Sequence, residues 1–420
     1  MDLRTPKGTT DYPPAHALLY EEIVNKTVEI FKVYGAQPID TPIFELKEIL
    51  LNKYGEDTKL IYDLKGETCA LRYDLTVPFS RYMAMNRLKK IKRYQIGKVF
   101  RRDQPSITKG RLREFIQADF DIAGDGLPMV VDAEILSCVH RLLEMYNIGP
   151  FVIKISDRRI LMAILKVAGV QENDFGTICS TIDKIDKLSK EDLNKEFTSK
   201  GLSSKQIEEI NRYISYKNED ILEFLKNDKI IEECREAVGD LERLLKYTKI
   251  YGCSSIEINL SLARGLEYYT GLIIEAEYIG TAVGSVIGGG RYDNLIDGLS
   301  NKDKVPCAGF SVGISRIFSL LSSTKTSETE VFVSCSGGLF LEERMAILNT
   351  LWGNKIKAET FYTKRYNLKE HKETCVKKGI KWLVVVGQQE VEKKAVKLIE
   401  VEKDQHEEIL LEDLVKKINN

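Results

Sequence analysis

Arg113-Glu-Phe-Ile-Gln-Ala-Asp-Phe-Asp121 alternates in chemical character from one residue to the next. Successive side chains of a strand point to opposite faces. A strand here therefore turns Ile116, Ala118, Phe120 and, one step on, Ile122 toward a core. Phe115, Gln117, Asp119 and Asp121 share the other face. Two carboxylates, an amide and one aromatic ring are costly against a hydrophobic layer. Two arrangements accommodate them: the solvated outer face of an antiparallel sheet, or the wall of a polar pocket. Either way the segment predicts an antiparallel sheet with one apolar side.

Immediately upstream lie Phe100-Arg-Arg-Asp103 and then Lys109, Arg111 and Arg113, with Pro105 and Gly110 marking a loop. Strand, cationic loop and acid-bearing strand form a hairpin that joins phosphate-binding charge to cation-recognising charge. Arginine suits phosphate because its planar fork donates two parallel hydrogen bonds. A basic loop alone reads equally as a solvated charge run; the combination is more specific. In Leu71-Arg-Tyr-Asp-Leu-Thr-Val-Pro78, Asp74 and Thr76 fall on one face by period two. That pair either binds an ammonium group or caps the helix that follows.

Arg264-Gly-Leu-Glu-Tyr-Tyr-Thr-Gly271 sets a fixed cation, a carboxylate and two phenols between glycines, just before the alternating run Leu272–Tyr278. It can hold an anion through Arg264 and offer hydroxyls to a small polar ligand. Gly288-Gly-Gly-Arg-Tyr-Asp293 lets backbone approach a ligand closely, or simply turns tightly. Gly309–Phe318 reads as a glycine-bearing strand entering a helix, with Arg316 one turn in.

The chain of 420 residues is 43% hydrophobic and 30% charged, which suits a globular protein of roughly two or three domains. Its N-terminus lacks the apolar core of a signal peptide, and no apolar run approaches the ~20 residues that span a bilayer. Eight scattered Cys without a CxxC pair read as reduced packing thiols of a cytosolic-type compartment. With four His, no zinc site is expected. A net charge of −1 means that a nucleic-acid partner must be held by local patches. Lys364, Arg365, Lys369, Lys372, Lys377, Lys378 and Lys381 are one such patch, or an ordinary solvated lysine surface.

Helical spacing predicts helices over 15–34 and 128–146, with the Pro-bearing run 37–45 as a strand between them. Residues 60–124 read as predominantly extended and 157–250 as helical, with a discrete insertion over 170–248. Strands and glycine turns return from 256 to 321, and 322–330 is the polar linker. Beyond it, strands are expected over 331–335, 356–361, 382–386 and 395–401. Helices are expected over 339–352, 368–378 and 409–418. That alternation predicts a small sheet with packed helices.

Taken together, these segments resemble the class II aminoacyl-tRNA synthetases, and within them the histidyl-tRNA synthetase family. The Phe100–Asp121 hairpin resembles motif 2 of that class and Gly309–Phe318 motif 3. The Gln37–Glu45 run resembles the dimer-forming motif, with Pro42 as its proline. Arg264–Gly271 and Gly288–Asp293 narrow the likeness to the histidine enzymes. It covers nearly the whole chain, from Arg4-Thr-Pro-Lys-Gly-Thr-Thr-Asp-Tyr12 onward. It is strongest to the eukaryotic cytosolic form, without the helical N-terminal appendage of animal relatives. Glu267 stands where the family usually has Asp, and Asp103 where bacterial relatives carry Glu.

The resemblance implies an α+β catalytic domain over 1–325, with a mixed, mainly antiparallel sheet flanked by helices. The helical insertion 170–248 would lie within it, followed by a C-terminal α/β anticodon-binding domain over 330–420. It implies a histidine–tRNA ligase that uses ATP, with Mg²⁺ on the ATP phosphates and no side chain assigned as a metal ligand. Arg101 and Arg264 would hold the α-phosphate as catalytic residues. Phe115 would stack on adenine and Arg316 would lie against ATP. Asp74, Leu75, Thr76 and Gln117 would hold the α-amino end of histidine, and Asp121 with Tyr268 and Tyr269 its imidazole. The implied partners are L-histidine, ATP, tRNA(His) and a second copy in a homodimer, in the cytoplasm and away from membranes.

Overall fold

The computed structural model describes residues 3–51, 53–185, 188–217, 220–263, 268–300, 304–321, 327–363 and 367–419. The chain forms two compact units: Met1–Thr10 with Glu22–Leu321, and Asp11–Glu21 with Ser322–Asn420. Among the described residues, no helix is long and apolar enough to cross a membrane.

Among the described residues, the first unit has ten strands. They are β1 (Gln37–Pro38), β2 (Phe44–Leu46), β3 (Cys69–Leu71), β4 (Ile91–Phe100), β5 (Glu114–Ala123), β6 (Phe151–Asp157), β7 (Ile256–Ile258), β8 (Leu272–Tyr278), β9 (Ile287–Arg291) and β10 (Cys307–Gly313). Eight of them form one sheet in the order β1-β4-β5-β10-β9-β8-β6-β7. Its interior pairs are antiparallel and its two edge pairs, β1/β4 and β6/β7, parallel. The mixed, mainly antiparallel sheet is thus as expected. Strands β2 and β3 pair separately.

One side of the sheet is apolar. Tyr94, Phe120 and Phe310 are registered across β4, β5 and β10. Phe31 of helix α1 (Pro14–Val33) covers that row at ring separations of 5.9, 5.4 and 6.0 Å. Gly35, at φ +75°, ends α1. Helices α2 (Lys47–Leu50), α3 (Thr76–Asn86), α4 (Val130–Tyr146) and α5 (Arg158–Val167) come next. The lysine- and glutamate-rich stretch then folds as α6 (Phe175–Ile182), α7 (Lys190–Ser199), α8 (Ser204–Ile214), α9 (Ile221–Lys226) and α10 (Ile231–Ile250). Its helices α6, α7 and α8 share a core with Leu161 and Leu165 of α5, in which Ile178, Ile182, Phe197, Ile210 and Ile214 are fully buried. Ser189 caps α7, and Ser203 with Gln206 forms a capping box on α8. Short helices α11 (Asp297–Ser300) and α12 (Ile314–Leu320) follow β9 and β10.

The second unit has a five-stranded sheet in the order β12-β11-β13-β14-β15, its first three strands parallel. These are β11 (Val331–Cys335), β12 (Ala358–Glu359), β13 (Trp382–Val386), β14 (Ala395–Glu400) and β15 (Gln405–Leu410). Helices α13 (Leu341–Gly353), α14 (Leu368–Lys378), α15 (Gln388–Glu392) and α16 (Leu414–Asn419) are interleaved.

Three departures from the sequence reading have physical causes. The 37–45 run is not one strand: β1 and β2 belong to different sheets, and Pro42, which has no N–H to give a ladder, lies between them. Within 60–124 the structure has helix α3, with Pro78 tolerated in its first turn. Asp74 and Thr76 therefore do not share a strand face, since Thr76 opens the helix. Finally, the expected helix 409–418 begins as strand β15. Gln405 to Glu408 are exposed on both faces of this edge strand, so the sequence shows no alternation there. The 322–326 part of the linker lies outside the described residues.

Candidate active site

Opposite the apolar side, three registered rows face the same way. One runs Arg93–Asp121–Gly309–Gly290, the next Gln95–Asp119–Ser311–Gly288, and the third Gly97–Gln117–Gly313. The glycines clear a floor. A Cβ at Gly309 would stand 2.0 Å from Asp121 Oδ1, so this carboxylate lies directly over it. A Cβ at Gly290 would stand 3.0 Å from the Tyr269 ring, while Gly288 faces open space. Neighbouring strands are about 4.8 Å apart, so Asp121 and Tyr269 occupy adjacent positions on the floor.

The polar face of β5 is buried: Gln117 is 9%, Asp119 1% and Asp121 2% exposed. Of the two arrangements, the solvated outer face is not the one found. Arg93, with no exposed surface, lies over the Phe79 ring at 4.4 Å. Its Nη2 is 2.7 Å from Asp121 Oδ2 and 3.8 Å from Asp119 Oδ2, and it donates to the Leu75 carbonyl at 3.2 Å. The Tyr292 hydroxyl donates to Asp121 Oδ1. Gln117 Oε1 and Asp119 Oδ1 have no hydrogen-bond partner among the described residues.

One buried guanidinium thus faces two buried carboxylates, with Asp74 close by. Burial, with Asp121 alongside, outweighs Arg93 and the Ser311 hydroxyl and pushes the Asp119 carboxyl up to about 7. Burial also raises Asp121 and Asp74. Such a face carries more negative than positive charge, and its unpartnered atoms include the donors Arg93 Nε and Nη1 as well as the acceptors Gln117 Oε1 and Asp119 Oδ1, so it suits a ligand that brings a cation and N–H groups and offers an acceptor in turn. The phenols of Tyr54, Tyr268 and Tyr292 are pushed well above their usual value by burial and stay neutral donors.

Asp74 is 5% exposed. Its Oδ1 accepts from the Tyr54 hydroxyl at 2.9 Å and from the Val77 N–H at 3.0 Å. It therefore caps α3, and its charge still reaches the pocket. Leu75 turns its side chain into the core and contributes its carbonyl to Arg93. The Arg101 guanidinium sits 4.2 Å from the Tyr73 ring and 5.2 Å from the Phe115 ring, and its Nε donates to the Tyr73 carbonyl at 3.1 Å. Its charge is felt by Asp74, Tyr54 and Tyr268. Tyr268 packs edge-on against Tyr269 at 5.0 Å and Tyr292 at 6.2 Å. Arg316 donates to the Ser285 carbonyl. The motif-2-like loop meets the start of α12 closely, since a Cβ at Gly110 would stand 2.6 Å from the Ser315 carbonyl. Arg264 and Glu267, like Lys364 and Arg365, lie outside the described residues.

Residues 8–317 match the family model described as histidyl-tRNA synthetase, and residues 325–420 the model for the anticodon binding domain of tRNAs. The chain belongs to the histidyl-tRNA synthetase family. It is 57% identical to a Vairimorpha ceranae protein named "Probable histidine--tRNA ligase, cytoplasmic", over 99% of both chains. A protein of the same name from Encephalitozoon cuniculi is 53% identical, over 98% of this chain and 97% of that one. The crystal structure of histidyl-tRNA synthetase from Nostoc sp. PCC 7120 superposes with a TM-score of 0.85 at 26% identity, covering 100% of this chain and 99% of that one. A Bacillus halodurans structure described as an ATP phosphoribosyltransferase regulatory subunit/histidyl-tRNA synthetase has a TM-score of 0.73 at 18% identity, which speaks for the fold alone.

Arg93, Tyr292 and Tyr54 are not singled out by the sequence pattern, and Asp119 appears in it only as part of the polar face. For Arg93 a signal existed. The hairpin pairs Phe100 with Glu114, and counting back equally along both strands puts Arg93 opposite Asp121. Tyr292 stood within the glycine-rich segment, whose glycines drew the attention. Tyr54 carried no local signal, because its meeting with Asp74 is tertiary.

Proposed function

We propose that this chain activates L-histidine with ATP and then esterifies tRNA(His), with the β5 face as the amino-acid site. A histidine carboxylate oxygen forms the new bond to the α-phosphorus. The bond from that phosphorus to the bridging oxygen breaks, and pyrophosphate leaves with the electron pair. A terminal ribose hydroxyl of tRNA then attacks the histidyl carbonyl carbon, and AMP departs. Such transfers need positioning and charge neutralisation more than a covalent nucleophile.

The observation that carries this reading is the buried Arg93–Asp119–Asp121 set beside the unpartnered Gln117 Oε1. An ammonium group satisfies the acceptors, and Asp121 with the neighbouring phenols can meet both nitrogens of an imidazole. Asp74, Leu75 and Thr76 line the α-amino end, Leu75 and Thr76 through backbone. Arg101 and Arg264 grip the α-phosphate from two sides, Phe115 stacks on adenine beside Arg101, and Arg316 binds the far end of ATP. Among the described residues no cluster of three His, Cys, Asp or Glu could hold a metal ion. Mg²⁺ would arrive on the ATP phosphates and offset their charge.

In the same reading, 1–325 is the catalytic domain, the insertion 170–248 clasps the acceptor stem, and 330–420 reads the anticodon. The two family matches, 8–317 and 325–420, support the division between the first and last of these. The names of the two relatives support a cytoplasmic location. The working form is a homodimer, supported by exposed Ile43, Phe44 and Leu46 on the Pro42 segment; a solution mass of a single chain by light scattering would overturn that part.

The activity is tested by histidine-dependent exchange of pyrophosphate into ATP without tRNA. Exchange is expected with histidine, and its absence refutes the reading. The regulatory alternative, a fold that binds histidine without activating it, predicts binding without exchange. Arg101 and Arg316, retained in this sequence with Arg264, weigh against it.

A further inference from the structure

The helices of the insertion reach the substrate wall through one buried carboxylate. Asp240 of α10 is 5% exposed, and its Oδ2 accepts from Arg159 Nη2 at 2.6 Å. The same guanidinium grips Asp157 with both arms, Nε to Oδ1 at 3.0 Å and Nη2 to Oδ2 at 2.8 Å. Asp157 is 1% exposed, ends β6, and caps α5 by accepting the Arg159 N–H at 2.9 Å. It also lies against Gly271, where a Cβ would stand 3.8 Å from its Oδ2. The Gly271 carbonyl accepts from the Arg158 N–H at 2.9 Å.

On the other flank, the Arg291 stem is 3.4 Å from the same point, and the Arg291 carbonyl accepts from the Thr270 N–H at 2.7 Å. Arg291 is held by Asp132 and Asp293. Thr270–Gly271 is thus wedged between two ionic clusters, directly after Tyr268 and Tyr269. The wall is thin. Cavities of about 430 and 250 Å³ flank it, and Arg159 and Thr270 line both. Backbone hydrogen bonds to Arg158 and Arg291 tie the segment to its neighbours, and the charged chain Asp240–Arg159–Asp157 fixes the carboxylate that stands against Gly271 on the insertion side.

We propose that Asp240 is a positioning residue for the histidine site: through Arg159 and Asp157 it sets where Gly271 stands, and with it the two phenols before Gly271. The proposal rests on Tyr268 and Tyr269 contacting histidine. Without Asp240, Arg159 is a one-third exposed cation with Glu236 3.9 Å away as an alternative partner. Its grip on Asp157 then loses the third point that fixes the plane of the fork. An element counted with the tRNA-clasping insertion thereby tunes recognition of the amino acid.

Pyrophosphate exchange with the full chain tests this. Asp240→Asn removes the charge and keeps the shape. It is expected to raise the KM for histidine roughly tenfold, with the KM for ATP within about twofold. Asp240→Glu is expected to restore most of the loss. Arg159→Lys, whose point charge cannot serve two carboxylates, is expected to match Asp240→Asn. The double variant should be no worse than the worse single one, because the chain acts as a unit. An unchanged histidine KM, equal rises for both substrates, or additive effects would each overturn the proposal. If Asp240→Asn unfolds at the assay temperature, Arg159→Lys decides by the same split. Failure of the unsubstituted chain to exchange with histidine strikes the functional reading instead, and not this proposal alone.

Discussion

Asp121→Asn is expected to raise the KM for histidine about a hundredfold while moving that for ATP less than about threefold. The side chain keeps its volume over Gly309, where the floor leaves no room for anything larger. It also keeps an oxygen for the Tyr292 hydroxyl. What disappears is the charge that would oppose an imidazole N–H. A buried site built around a charged acceptor discriminates through the penalty of leaving its polar groups unmatched. The alanine variant is a poorer probe. Arg93 has no exposed surface, and it would be left with Asp119 at 3.8 Å as a carboxylate partner beside the Leu75 carbonyl. Removing one partner of a buried pair destabilises by about 3–5 kcal/mol. Asp121→Ala should therefore melt early as well as bind histidine badly. Steady-state exchange kinetics beside a thermal melt separate the two effects. Equal loss for histidine and ATP in the asparagine variant would remove Asp121 from the imidazole site.

Arg101→Ala and Arg264→Ala are each expected to lower the exchange rate constant by about 10²–10³-fold, with a much smaller change in the KM for histidine. Both guanidinium groups are assigned to negative charge that grows on the α-phosphate as the bond to pyrophosphate breaks. Groups that act only in the transition state appear in kcat. Arg101 is stacked on Tyr73 and tied to its carbonyl, so its direction is set before substrate arrives. Arg101→Lys should recover little, since an ammonium cannot donate the two parallel bonds of the fork. A wild-type exchange rate in either alanine variant would strip that arginine of its catalytic role.

Much of this site was legible in the sequence because strand alternation is a local rule. Phe115 to Asp121 declared a polar face beside an apolar one, and the sheet buries both. Whether that face was solvated or enclosed could not be decided locally. It depends on α3 and its Phe79 closing over Arg93, and on glycines at 288, 290 and 309 leaving room above distant strands. The Asp74 segment shows the limit from the other side. Period two over a few residues imitates a strand, whereas the carboxylate that seemed to join Thr76 on one face in fact starts a helix. Strand β15 escaped notice because an edge strand exposed on both faces has no reason to alternate. Asp240 left no pattern that ties it to Asp157 and Arg159, since it meets them only when an insertion helix packs back onto β6 and α5.

The most direct test of the amino-acid assignment is the exchange assay run with each protein amino acid in turn, without tRNA, on the unsubstituted chain. A pocket of carboxylates around one fully buried arginine predicts exchange with histidine and background with all the others, including glutamine and asparagine, which match histidine in polarity but cannot present its ring. Exchange driven equally well by another amino acid, or by none, would contradict the assignment of Asp119, Asp121 and Gln117 to histidine.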